Sequence, residues 1–95
     1  MTGGWVYILT NQPRGTLYVG VTSDLVRRVW EHREGVAESF TKRYDLKRLV
    51  WFERHDDIRE AIRREKALKR WLRDWKLDLV ETANPGWDDL YDGLA

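Results

Sequence analysis

Five side chains in this sequence have types and spacing suited to moving a proton beside a phosphate: Tyr7, Tyr18, Arg28, His32 and Glu65. A tyrosine needs its pKa of about 10 lowered, or a partner to take its proton, before it can act as a general base. Arg28 offers a planar, charged donor suited to a phosphate whose charge grows during attack. Its alternative role is a surface ion pair with Asp24 at i, i+4. His32, one helical turn beyond Arg28, can exchange a proton with a nucleophile or leaving group, or serve only as structure. Glu65 projects into an apolar helical stripe, where an unpaired carboxylate is costly and must be compensated. The compensator is either a cation, with Arg28 and Lys69 in reach, or a divalent metal. Mg²⁺ often takes only one or two carboxylates, with waters and substrate phosphate completing its octahedron.

The elements that position these groups can be read in order. Trp5 to Thr10 (WVYILT) and Leu17 to Val21 are β-branched and aromatic runs joined by the turn-rich Asn11 to Gly15, which predicts an antiparallel hairpin. A first helix follows over about 24–33, capped by Thr22, Ser23 or Asp24, with Leu25, Val26, Val29 and Trp30 on its apolar face. Arg28 and His32 fall at the border of that face. Residues 34–45 read as a loop, whose Phe40, Thr41, Lys42 and Arg43 suit a groove edge. Leu46 to Glu53 is the third strand. Asp57 and Glu60 then open a second helix over about 58–75, with Ile58, Ala61, Ile62, Leu68, Leu72 and Trp75 as its stripe. Beside the stripe runs a basic ridge of Arg59, Arg63, Lys66, Arg70 and Arg73. Leu77 to Val80 reads as a short separate helix, ended by Asn84-Pro85-Gly86, and an acidic turn closes the chain. Asn84 is more simply a local cap than a working part, and His55 sits in a turn without an assigned role.

Ninety-five residues fit one domain, taken as residues 1–95 with a core at about 5–87. The absence of cysteine excludes disulfides, thiolate metal sites and cysteine nucleophiles. No apolar run approaches a membrane span and no basic-then-apolar leader precedes Trp5, so a soluble, cytoplasmic, monomeric protein without membrane contact is expected. The net charge of +1 hides a segregation: residues 42–76 carry 13 basic and seven acidic groups, and residues 77–95 carry five acids with no Lys or Arg. Such a distribution fits an anionic partner for the middle segment, or simply a well-solvated helix.

Val6-Tyr7-Ile8, the spacer, Tyr18-Val19-Gly20, then Asp24, Arg28, His32 and the later Glu65 together resemble the GIY-YIG nuclease domain. With REKALKRW at residues 64–71, the chain resembles more narrowly the small stand-alone bacterial members. The resemblance runs from Trp5 to about Trp87 and implies an α/β (α+β) fold, a central three-stranded antiparallel sheet flanked by helices. It makes Tyr7, Tyr18, Arg28 and His32 catalytic, with Glu65 catalytic and metal-binding. The implied cofactor is Mg²⁺ or Mn²⁺, and the implied chemistry is hydrolysis of a DNA phosphodiester by a metal-coordinated or tyrosine-activated water, with RNA not excluded. Gly20 matches the motif glycine and Asn84 a late asparagine of several members. With Arg27, Lys42, Arg43, Arg63, Lys66, Lys69 and Arg70 they make up the expected nucleic-acid surface. One departure stands out: Trp5 occupies the first motif's glycine position, giving WVY, and its indole is expected to reshape the site's edge. The expected activity is structure-selective or weakly sequence-specific cleavage, with a role in DNA repair or recombination. The alternatives are a non-catalytic binding module and a subunit delivered to DNA by a partner.

Overall fold

The computed structural model describes residues 3–36 and 39–94. The element order is β1 (Gly4–Thr10), β2 (Leu17–Thr22), α1 (Leu25–Arg33), α2 (Ser39–Arg43), β3 (Arg48–His55), α3 (Ile58–Arg70) and α4 (Arg73–Ala83), closed by a 3₁₀ turn at Tyr91–Leu94. The strands form one antiparallel sheet in the order β2-β1-β3, flanked by helices as expected. β1 is central and covered on both faces, so Val6 to Thr10 are all buried. Its alternation still sorts them. Val6 and Ile8 pack under α3 and α4 with Val50, Trp51, Ala61, Leu68, Leu77 and Val80. Tyr7 and Leu9 face α1 with Leu25, Val29, Leu46 and Leu49.

β3 carries an irregularity the sequence pattern does not announce. Ile8 pairs with Trp51 but Leu9 with Leu49, which leaves Val50 as an extra residue. A bulge breaks the period of two, so Val50 and Trp51 are neighbours on the same face.

Three helical expectations need correction. Asp24 caps α1 through its side chain, accepting from Arg27 N–H. The buried face of α1, however, is Leu25, Val29 and His32, while Val26 is exposed and Trp30 is 49% exposed. His32 therefore lies inside the core, not at its border, because buried partners satisfy both its ring nitrogens. Within the expected loop of residues 34–45, Ser39 to Arg43 form the short helix α2. The long second helix also divides. Trp71 and Leu72 are extended, with ψ of 148° and 151°, and Leu72 and Trp75 are exposed instead of continuing the stripe. No Gly or Pro signals this break. It is a tertiary effect that redirects α4 so that Leu77 and Val80 reach the sheet, with Arg73 donating to the carbonyls of Arg14 and Gly15 in the β1–β2 turn. Among the described residues no helix is long and apolar enough to cross a membrane.

Candidate active site

The site is built around Tyr7, whose near-complete burial comes from its place on the central strand. Gly20 is its direct partner on β2. A Cβ at position 20 would overlap the Tyr7 ring and hydroxyl, so the motif glycine exists to let the phenol lie across β2. From there Tyr7 Oη is 2.9 Å from His32 Nε2, and His32 Nδ1 is 2.9 Å from Thr41 Oγ1. The imidazole is 1% exposed and Thr41 is equally buried.

Arg28 supplies the charge. Burial works against its guanidinium, but hydrogen bonds to Tyr7 and Glu31 outweigh that and hold its pKa above the ordinary arginine value. Its carboxylate partner is Glu31 at 3.2 Å, not Asp24, which is spent on the helix cap. Because a guanidinium only donates, Tyr7 Oη receives that bond. Pointing the phenolic O–H at Nε2 and the Nδ1–H at Thr41 then uses each group in one role, a tautomer assigned from the network. Tyr18, on the same face, packs its ring 5.4 Å from His32 and 6.3 Å from Tyr7. It carries the cluster out to the open edge of β2, where a groove of about 360 Å³ is lined by Leu17, Tyr18, Val19, Phe40, Lys69 and Lys76.

Glu65 approaches this groove from the other face of the sheet, since α3 packs across β1 and β2. Its side chain is only 12% exposed and its Oε2 is 2.9 Å from Lys69 Nζ, one helical turn on. Lys69 is therefore the compensating cation, one of the two alternatives open from the sequence. Among the described residues no three His, Cys, Asp or Glu side chains cluster closely enough to form a metal cage. A single shielded carboxylate beside a phosphate-sized groove fits a hard cation that keeps its waters and takes the rest of its ligands from substrate. It does not fit a structural zinc site.

The expected nucleic-acid surface divides. Arg27, Lys42 and Arg43 are exposed, as are Lys66 and Arg70. Arg63 is exposed but paired with Glu60 at 3.1 Å. Arg73 of the ridge is consumed by backbone carbonyls. Asn84 is corrected out of this surface. It is 6% exposed, its Nδ2 donates to the carbonyls of Val50 and Asp88, and its Oδ1 accepts from Asp88 N–H. It staples the C-terminal segment to β3, the plainer of its two readings. Trp5 packs edge-on against Phe52 at 5.8 Å with Arg54 over its ring, towards β3 and away from the groove at β2. Lys76 was not singled out from the sequence; its spacing of seven from Lys69 would have counted only in one unbroken helix, which the chain does not form.

Fold and site together define a nuclease-type domain: residues 3–78 match the GIY-YIG catalytic domain model, and the chain belongs to the GIY-YIG family. It is similar to a UPF0213 protein of Clostridium perfringens, 35% identical over 78 residues and covering 82% of this chain and 83% of that one. A UPF0213 protein of Haloquadratum walsbyi is 36% identical over 77 residues, 81% of this chain and 85% of its own. One from Desulfotalea psychrophila is 31% identical over 88 residues, 92% and 80% respectively. No solved structure matches the chain.

Proposed function

We propose that this protein is a metal-dependent endonuclease that hydrolyses DNA phosphodiesters, selecting structure more than sequence. The observation that carries the reading is the buried chain Tyr7–His32–Thr41, charged by Arg28 and opening through Tyr18 onto a lysine-lined groove. A buried polar relay has no packing advantage over apolar side chains of the same volume, so its place in a small core needs a chemical use.

In this mechanism Tyr7 passes its proton to His32 Nε2, with Thr41 holding the imidazole in the accepting tautomer. The guanidinium of Arg28 stabilises negative charge on the phenol oxygen, which then takes a proton from the attacking water. Arg28 also faces the charge that grows on phosphorus oxygens. Lys69 and Lys76 hold flanking phosphates, contacts that give affinity without sequence information. Glu65 would hold Mg²⁺ or Mn²⁺, exchanging its bond to Lys69 for the cation; when bound, that ion supplies positive charge to the phosphate. Structure-selective cutting of this kind goes with a role in DNA repair or recombination.

The test is cleavage of labelled single-stranded, duplex, flapped and branched DNA, with Mg²⁺ or Mn²⁺, by wild type and Glu65→Ala in parallel. Cleavage lost in the variant supports the reading. No cleavage of any form above the variant's level rejects it. A second reading, a non-catalytic binding module of the same fold, is favoured by the Glu65–Lys69 pair, which satisfies the carboxylate without a metal. Salt-dependent binding that survives Glu65→Ala, with no cutting, selects it.

A further inference from the structure

The helix α2 is inside out. Its buried member is a polar residue, Thr41, while the aromatic pair one turn apart, Phe40 and Tyr44 at its C-terminal edge, is 44% and 43% exposed. A helix this short has little reason to hold two large rings in water unless they meet something there, since burying an aromatic face is worth several times the cost of an exposed polar one.

Those rings continue a ladder that begins at the catalytic chain. His32 to Tyr18 is 5.4 Å between centroids, Tyr18 to Phe40 is 6.1 Å and Phe40 to Tyr44 is 4.9 Å. The ladder thus leads outward from the imidazole to the surface. Cations flank it. Lys69 and Lys76 share the groove with Phe40, and the Arg43 guanidinium lies 5.6 Å from the Tyr44 ring centroid. Glu65 tempers Lys69, but Lys76 has no carboxylate partner among the described residues.

We infer that Phe40 and Tyr44, backed by Tyr18, form a stacking site for unpaired DNA bases immediately beside the scissile phosphate. The inference rests on the nuclease reading and deepens it by naming the substrate class, a strand whose bases are not paired at the cut. Paired bases present only their edges to a protein, so an aromatic face has nothing to stack on along a closed duplex. An unpaired strand offers π-faces at the spacing of its phosphates, and a groove combining rings with lysines is complementary to both. The aromatic set thus discriminates by base accessibility, and the lysines do not.

The experiment is binding without metal, by fluorescence anisotropy, of a flapped DNA and a blunt duplex of equal length over a salt series. Phe40→Leu combined with Tyr44→Leu keeps apolar volume but removes the rings. It should weaken flap binding by about 5- to 100-fold, the range of one or two lost stacking contacts, and leave duplex binding and the salt slope unchanged. Phe40→Trp should retain flap binding. Lys69→Met with Lys76→Met should instead weaken both DNAs and flatten the salt slope. A 2-aminopurine at the first unpaired position should change emission on binding wild type but not Phe40→Leu. Equal loss on flap and duplex, no loss on either, or the same 2-aminopurine response in both proteins would overturn the inference. If the ring variants bind and cut a flap like wild type, the stacking site falls while the nuclease reading stands. If wild type binds neither DNA, both fall.

Discussion

Replacing Gly20 by alanine tests the close approach on which the site's geometry depends. The new methyl group would overlap Tyr7 Cζ and Oη. The backbone of Gly20 does not lie in the left-handed region, so conformational freedom is not the reason for a glycine there. At an unobstructed position with the same backbone, alanine would be the more stable residue by roughly 0.4–1 kcal/mol, through the entropy of the unfolded chain. Here the sign reverses. Adding a methyl group to a filled core costs about 1–3 kcal/mol, which leaves a net loss of about 1–2 kcal/mol after the entropic gain. For a domain of this length that lowers Tm by about 4–16 °C. The ring can relieve the overlap only by swinging off β2, and its 2.9 Å bond to His32 would go with it. Cleavage should therefore fall further than stability, by about 100-fold or more when a positioned acid–base group is displaced. Circular dichroism melts give the first quantity, and single-turnover cleavage at a temperature where both proteins are folded gives the second. A variant with an unchanged or raised Tm and normal cleavage would refute the reasoning.

Thr41→Val keeps the shape of the side chain and removes the acceptor of His32 Nδ1; it should cost about 1–3 kcal/mol by urea unfolding and lower the cleavage rate as well. Asn84→Ala should cost at least about 2 kcal/mol, since it strands buried groups of Val50 and Asp88, yet leave the salt slope of DNA binding unchanged. Glu81 has its carboxyl held below the usual range, first by the Trp87 indole N–H and then by Arg14. A carboxyl lowered in the folded state stabilises above its unfolded pKa of about 4.3, and that contribution is lost as pH falls through the lower folded value. Glu81→Gln should therefore melt below wild type at pH 7, and the gap should close on acidification below about pH 4.

The sheet and its caps were legible because they rest on local rules. β-branched runs around Asn11 to Gly15 gave the hairpin, and Asp24 and Asp57 cap α1 and α3 through their side chains. What the pattern misplaced depends on distant contacts. Hydropathy turns Trp30 inward and His32 outward, whereas hydrogen bonds to Tyr7 and Thr41 make the histidine the buried residue. The break at Trp71 and Leu72 has no local breaker, and the extra Val50 in β3 becomes visible only against its partner strand. In the site, Tyr7, Tyr18, Gly20 and Arg28 could be picked out by motif. Thr41 as the partner of His32 could not, since it depends on how α2 folds back over α1. Glu65 was recognised by its conflict with the apolar stripe, and its pairing with Lys69 follows the i, i+4 spacing.

The central claim is that the Tyr7 hydroxyl works chemically on a DNA phosphodiester. Its most direct test is single-turnover cleavage of a flapped DNA with Mg²⁺ by wild type and Tyr7→Phe, with metal-free binding measured alongside. The account predicts that wild type cuts and that Tyr7→Phe binds with the same affinity but cuts about 100-fold or more slowly, as loss of a general base requires. A Tyr7→Phe protein that cuts at the wild-type rate would contradict it.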